Sequence, residues 1–77
     1  MFERKEYKPK YEYSKLRGRI REVLKTEGKF AEALGRSQNY VSNVFLGLSY
    51  FEQNDICRAA EVLQIPFDDI GTYFFAH

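Results

Sequence analysis

The stretch TEGKFAEALGRSQNYVSNVFLG, Thr26 to Gly47, constrains this chain more than any other. Ala31, Gly35 and Val41 stand four and then six residues apart, with Phe30, Leu34 and Val44 as apolar supports. That is the spacing of two short helices crossing closely around a tight turn. Ala31 is small enough to let the second helix approach the first. Gly35, directly after Leu34, supplies the left-handed backbone that ends the first helix. Val41 fills the angle between the two. Ser37 is the expected N-cap of the second helix, as Thr26 is of the first. The pattern predicts a helix-turn-helix.

The flanks add helices and no strands. Before the motif, Leu16, Ile20, Val23 and Leu24 follow helical spacing, which predicts a helix capped by Ser14 and running to Lys25. Gly18 inside it marks either a closely packed neighbour or a plain weakness of about 1 kcal/mol relative to Ala. After it, Ile56, Ala59, Ala60 and Leu63 predict a helix over Glu52–Gln64, which Ile65-Pro66 breaks. Pro66 suits the first turn of a short last helix, and Asp68 and Asp69 suit its N-terminal end. The expected fold is all-α: a five-helix, lambda-repressor-like domain over residues 14–77, preceded by an irregular arm over 1–13. In the arm, Arg4, Lys5, Lys8 and Lys10 interleave with Phe2, Tyr7, Tyr11 and Tyr13, and Pro9 breaks any continuous helix. Two readings compete for it: an arm reaching nucleic-acid phosphate, or tyrosines folded back as a lid on the core. The second is preferred for the aromatics, with a modest phosphate role for the cations.

Composition excludes several function classes. Seventy-seven residues with seven Phe and six Tyr make one domain with an aromatic-rich core. The one cysteine, Cys57, excludes an internal disulfide framework, and its place in an apolar helical pattern predicts a buried, inert thiol. No apolar run approaches the roughly 20 residues of a membrane span, and no signal-peptide pattern opens the chain. A cytoplasmic protein is expected. One terminal His, no metal-ligand spacing, no nucleophile motif and no phosphate-cradling glycine loop argue against an enzyme, a metal or a cofactor. The net charge of +1 hides an asymmetry: residues 1–25 hold nine Lys and Arg against four Glu, residues 26–77 three against seven Asp and Glu. One end is basic, the other acidic.

On the second motif helix, Ser37 to Phe45, the positions Val41, Val44 and Phe45 face inward. Gln38, Asn39, Ser42 and Asn43 are left outside, with Tyr40 partly so. Such amides pair with the donor and acceptor edge of adenine, and a serine serves either groove edge. On any other helix the same residues are ordinary surface. Lys29, Arg36 and Tyr40, with the stripe Arg17, Arg21 and Lys25, are the candidate backbone contacts. Phe45, Leu46, Leu48 and Tyr50, with Tyr73, Phe74 and Phe75, form a candidate partner surface.

The helix order around TEGKFAEALGRSQNYVSNVFLG, followed by QNDICRAAEVLQIP, resembles the phage repressor and Cro helix-turn-helix family. More narrowly, YSKLRGRIREVLKTEGKFAEALG and the ending IPFDDIGTYFF resemble small Cro-like phage proteins of Gram-positive hosts. The resemblance implies a transcription regulator of the XRE type that reads a double-stranded DNA operator. The family's base-reading positions fall on Gln38, Asn39 and Asn43, and its phosphate contacts near Lys29, Arg36, Tyr40 and Asn43. It also implies a homodimer spacing two recognition helices about 34 Å apart. There are two departures. Glu27 stands where members often carry a phosphate-binding glutamine, and Phe45-Leu46 where a polar pair is common. The near-neutral charge, the uncharged outer face of the second motif helix and the apolar segment Phe45, Leu46, Leu48, Tyr50 and Phe51 carry the alternative: a protein-binding modulator, an antirepressor or co-repressor, whose partner is a repressor.

Overall fold

The structure is a computed structural model, and it describes residues 11–76. Five α-helices follow in order: α1 Ser14–Val23, α2 Glu27–Leu34, α3 Gln38–Phe45, α4 Gln53–Leu63 and α5 Ile70–Phe74. A 3₁₀ turn, Phe67–Asp69, precedes α5. The described residues contain no strand, and no helix among them is long and apolar enough to cross a membrane.

The α2–α3 unit forms for the local reasons expected. The Thr26 hydroxyl accepts from the Lys29 amide at 3.1 Å, and the Ser37 hydroxyl accepts from the Tyr40 amide at 3.0 Å. Each satisfies one of the amides a helix start leaves unpaired. Gly35 has φ +73°, a conformation that costs a residue with Cβ about 1–2 kcal/mol. Phe30, Ala31, Leu34, Val41, Val44 and Phe45 all face the core. Leu16 and Ile20 of α1, Ala59 and Leu63 of α4, and Phe74 of α5 complete it.

Several boundaries differ from expectation. Ser14 lies inside α1, and Tyr13 is the N-cap residue. The Glu12 carboxylate accepts from the Ser14 amide at 3.1 Å and from the Ser14 hydroxyl. At its other end α1 stops at Val23, and Lys25 stands outside it with φ +78°. The next residue, Thr26, is already extended as the N-cap of α2, so the chain leaves α1 abruptly. The amides of Leu24 and Lys25 both donate to the Ile20 carbonyl, at 2.7 and 3.0 Å. Leu24 thereby turns inward and Val23 outward. At Gly18 an added Cβ would meet nothing within 4 Å, so no neighbour requires the glycine.

Cys57 is exposed, against the expectation of a buried thiol. The fully buried positions of α4 are Asp55, Ala59 and Leu63. Two residues along a helix turn it by about 200°, which sends Cys57 away from Ala59.

Phe51, in the α3–α4 connection, explains why that loop is so apolar. Its ring lies 6.0–6.3 Å, centroid to centroid, from those of Tyr13, Phe30, Tyr40, Phe45 and Phe74. Edge-to-face arrays of this kind contribute beyond their buried area. Tyr13 is itself buried, and the Glu12 amide donates to the Ala76 carbonyl at 2.7 Å. Tyr11 packs at 5.4 Å from the Phe75 ring. Phe2, Arg4, Lys5, Tyr7, Lys8, Lys10 and His77 lie outside the described residues.

Candidate functional site

The outer face of α3 is uncharged. Gln38 and Asn39 are exposed, Ser42 and Asn43 half-buried. Gln38 folds back towards the start of α2: a Cβ placed on Gly28 would lie 3.2 Å from its Oε1. The glycine leaves room for that amide.

Around this face, carboxylates hold the groups expected to meet DNA. The Glu27 carboxylate accepts from the Ser42 hydroxyl at 3.0 Å and lies 3.9 Å from the Arg17 guanidinium. Arg17 also sits over the Phe45 ring, 5.0 Å from its centroid. A carboxylate on α2 thus contacts side chains of both α1 and α3. Arg36 is held more firmly. Its Nε donates to Asp55 Oδ1 at 2.9 Å, and its Nη2 donates to Asp55 Oδ2 at 3.1 Å and to Glu52 Oε1 at 2.9 Å. The same guanidinium lies 4.5 Å from the Tyr40 ring centroid.

Asp55 is the centre of this network and is 4% exposed. Its Oδ2 also accepts from the Glu52 amide at 3.0 Å, closing the first turn of α4. The single proton of the Tyr40 hydroxyl is shared between Asp55 Oδ2 at 3.0 Å and the Tyr50 carbonyl at 2.7 Å. Burial works against the Asp55 charge, but the bonds from Arg36, the Glu52 amide and Tyr40 outweigh it, holding the pKa below its ordinary value. For Tyr40, burial first and then Asp55 push the phenol up to about 12. Arg36 and Tyr40 therefore tie α4 to α3 and the turn before it.

Three of the expected backbone contacts are differently placed. Arg21, Lys25 and Lys29 are exposed. Arg21 and Lys25 edge an open cleft of about 70 Å³, with Arg17, Thr26 and Glu27, at the start of α2. The Lys25 ammonium reaches the Glu22 carbonyl at 3.5 Å; Arg21 and Lys29 make no ion pair among the described residues.

The expected partner surface divides. Phe45 and Phe74, at 7% and 2% exposure, are core residues and drop out of it, because α3 and α5 turn those positions onto Phe51. Leu46, Leu48, Tyr50 and Phe75 are exposed, and Tyr73 is half-buried beneath the Lys15 ammonium. Tyr11, Tyr50 and Phe75 rim an aromatic cleft of about 220 Å³, floored by Tyr13, Phe51, Ile56 and Phe74. The described residues hold no group of three or more His, Cys, Asp or Glu side chains placed to bind a metal. Sequence reasoning missed Asp55 and Glu52, although Glu52-x-x-Asp55 has the spacing of a helix-capping pair.

A family profile described as "Protein of unknown function (DUF739)" matches residues 10–77. Among solved structures, the chain is similar to the solution structure of the modulator of repression (MOR) of the temperate bacteriophage TP901-1 from Lactococcus lactis. The two share 36% identity over 86% of this chain and 89% of that one, with a TM-score of 0.71. No curated protein matches.

Proposed function

From the premise that this chain belongs to the DUF739 family, we propose that it is a phage regulator that acts by binding a repressor protein. The likeness to a modulator of repression supports the regulatory role. The observation that carries the mechanism is the carboxylate pairing around α3: Glu27 engages Ser42 and Arg17, while Asp55 and Glu52 engage Arg36. A strong operator reader needs those groups free for phosphate. The outward side chains of α3 itself and of the loop after it are amide and apolar, which suits a protein partner. Leu46, Leu48 and Tyr50, continuous in sequence with α3, are the surface we assign to the repressor.

The test is titration of the purified chain into a repressor encoded beside its gene, followed by calorimetry, with operator DNA alone as the comparison. A complex with the repressor is expected, together with loss of that complex in Leu48→Glu at unchanged helicity. Tight operator binding by the chain alone, with indifference to the repressor, would refute the proposal.

A second reading rests on Arg21, Lys25 and Lys29, which are exposed, the first two at a cleft they share with Phe45 of α3. In it the chain reads an operator directly through Gln38, Asn39 and Asn43. Gln38→Ala then weakens specific DNA by roughly 1–3 kcal/mol and leaves random DNA unchanged. Equal weakening of both would exclude that role.

A further inference from the structure

A second apolar face lies on α4 and the 3₁₀ turn, and shares no residue with the Leu46, Leu48 and Tyr50 surface. Phe67 is 85% exposed, more than any other large apolar residue described. Beside it runs an open cleft of about 210 Å³, lined by Cys57, Ala60, Glu61, Ile65 and Ile70 as well as Phe67 itself. The charge around this cleft has one prevailing sign. Glu61 stands in the lining, and Asp68 and Asp69 join Phe67 to Ile70; all three carboxylates are exposed. Over residues 48–76 the single cation is Arg58, next to Cys57. Glu52 and Asp55 of the same stretch are taken up by Arg36, whereas Glu61, Asp68 and Asp69 enter no ion pair among the described residues.

Charge and shape together select the occupant. An apolar hollow beside a bare aromatic ring seldom stays uncovered. Nucleic acid or anionic lipid would bring phosphates against Glu61, Asp68 and Asp69, and like charges brought together suppress binding. The same face of a second copy would oppose acid to acid. A cationic segment with an apolar stripe satisfies both features at once. We propose that this face docks a basic amphipathic helix of a protein other than the repressor, with its apolar side chains in the cleft and against Phe67. Lysines or arginines flanking that stripe meet the three carboxylates, a pairing that sets specificity and on-rate. Because the face is separate from the surface assigned to the repressor, the two partners do not compete for the same side chains.

The probe is a synthetic amphipathic helix of leucine and lysine, with a glutamate-for-lysine counterpart as its control. Each is titrated into the full chain and followed by amide chemical shifts and by the rate at which a maleimide modifies Cys57, the only cysteine. The lysine peptide should shift the amides of Cys57, Glu61 and residues 67–70 and slow the modification; the glutamate peptide should do neither. Phe67→Ser should raise the dissociation constant at least about tenfold, as for a central aromatic anchor. Asp68→Asn with Asp69→Asn should weaken binding less and flatten its dependence on salt. Phe67, Asp68 and Asp69 lie outside the core, so these variants should keep the wild-type circular dichroism and melting temperature. Equal binding of the two peptides, binding of neither, or lysine-peptide binding indifferent to Phe67→Ser overturns the proposal. The purified repressor should leave Cys57 as reactive as before. Protection of Cys57 by the repressor, lost in Phe67→Ser, overturns the proposal and gives this face to that protein. Repressor binding is read separately, so its failure bears on the α3 surface alone.

Discussion

Replacing Asp55 by Ala tests whether the network between α3 and α4 is a principal support of the fold. The carboxylate accepts two bonds from Arg36, one from the Glu52 amide and a share of the Tyr40 proton. Losing the bond that caps α4 costs about 1 kcal/mol. Breaking a fully buried ion pair from one side costs about 3–5 kcal/mol. Here the Arg36 side chain is 32% exposed, so water takes up part of the loss. Tyr40 keeps the Tyr50 carbonyl. The expected cost of Asp55→Ala is thus about 2–3 kcal/mol. A domain of 77 residues has roughly 4–12 kcal/mol in all. The melting temperature should fall by roughly 10–20 °C, followed by far-ultraviolet circular dichroism and confirmed by urea titration. Asp55→Asn, which keeps the shape and one acceptor, should cost about half as much. The folded-state pKa of Asp55 is depressed, so its contribution is present above its unfolded value of about 3.9 and is lost as pH falls through the folded one. Wild type and Asp55→Asn should therefore converge in stability in strong acid. A cost below about 0.5 kcal/mol for Asp55→Ala, the level of an ordinary surface change, would refute the reasoning.

Tyr40 should titrate near pH 12, visible as a late phenolate component that Tyr40→Phe removes. Its raised pKa also means that stability falls as pH rises from about 10 towards that value, and that Tyr40→Phe flattens the fall. Gly18→Ala should stabilise the fold by about 1 kcal/mol, or roughly 4–8 °C, because the added methyl meets open space; a neutral or destabilising result would contradict that geometry. Glu27→Gln should free Arg17 and raise retention on random DNA at low salt, with the logarithmic salt dependence steeper by about one. Unchanged retention would show that Glu27 does not govern the potential of this face.

The α2–α3 unit was legible because its signals are local. A hydroxyl three residues ahead of an amide and a glycine after the last apolar position act within one turn of chain. The all-helical fold followed from the same kind of pattern. Lys25 escaped because nothing in its side chain announces a left-handed conformation, which glycine would have signalled. Cys57 escaped for a related reason. Asp55 occupies an inward position of α4 beside the expected stripe of Ile56, Ala59, Ala60 and Leu63, which does line the core, and Cys57 falls off that stripe. The carboxylates holding Arg17, Arg36 and Ser42 come from residues 10–19 positions away in sequence, and periodicity carries no information about such pairs. The amides of α3 were read correctly as an uncharged outer face, while the charge state of its surroundings became visible only once the helices were packed.

Phe51 has a consequence for modularity. The five rings around it come from positions 13, 30, 40, 45 and 74, so they reach from just before α1 to the end of α5. The two motif helices are therefore not a cassette that can be lifted out. A peptide ending at Gly47 would keep both hydroxyl caps and the tight turn, yet lose the ring on which Phe30, Tyr40 and Phe45 lean. Grafting the α3 surface onto another scaffold requires carrying Phe51, or an equivalent wedge, along with it.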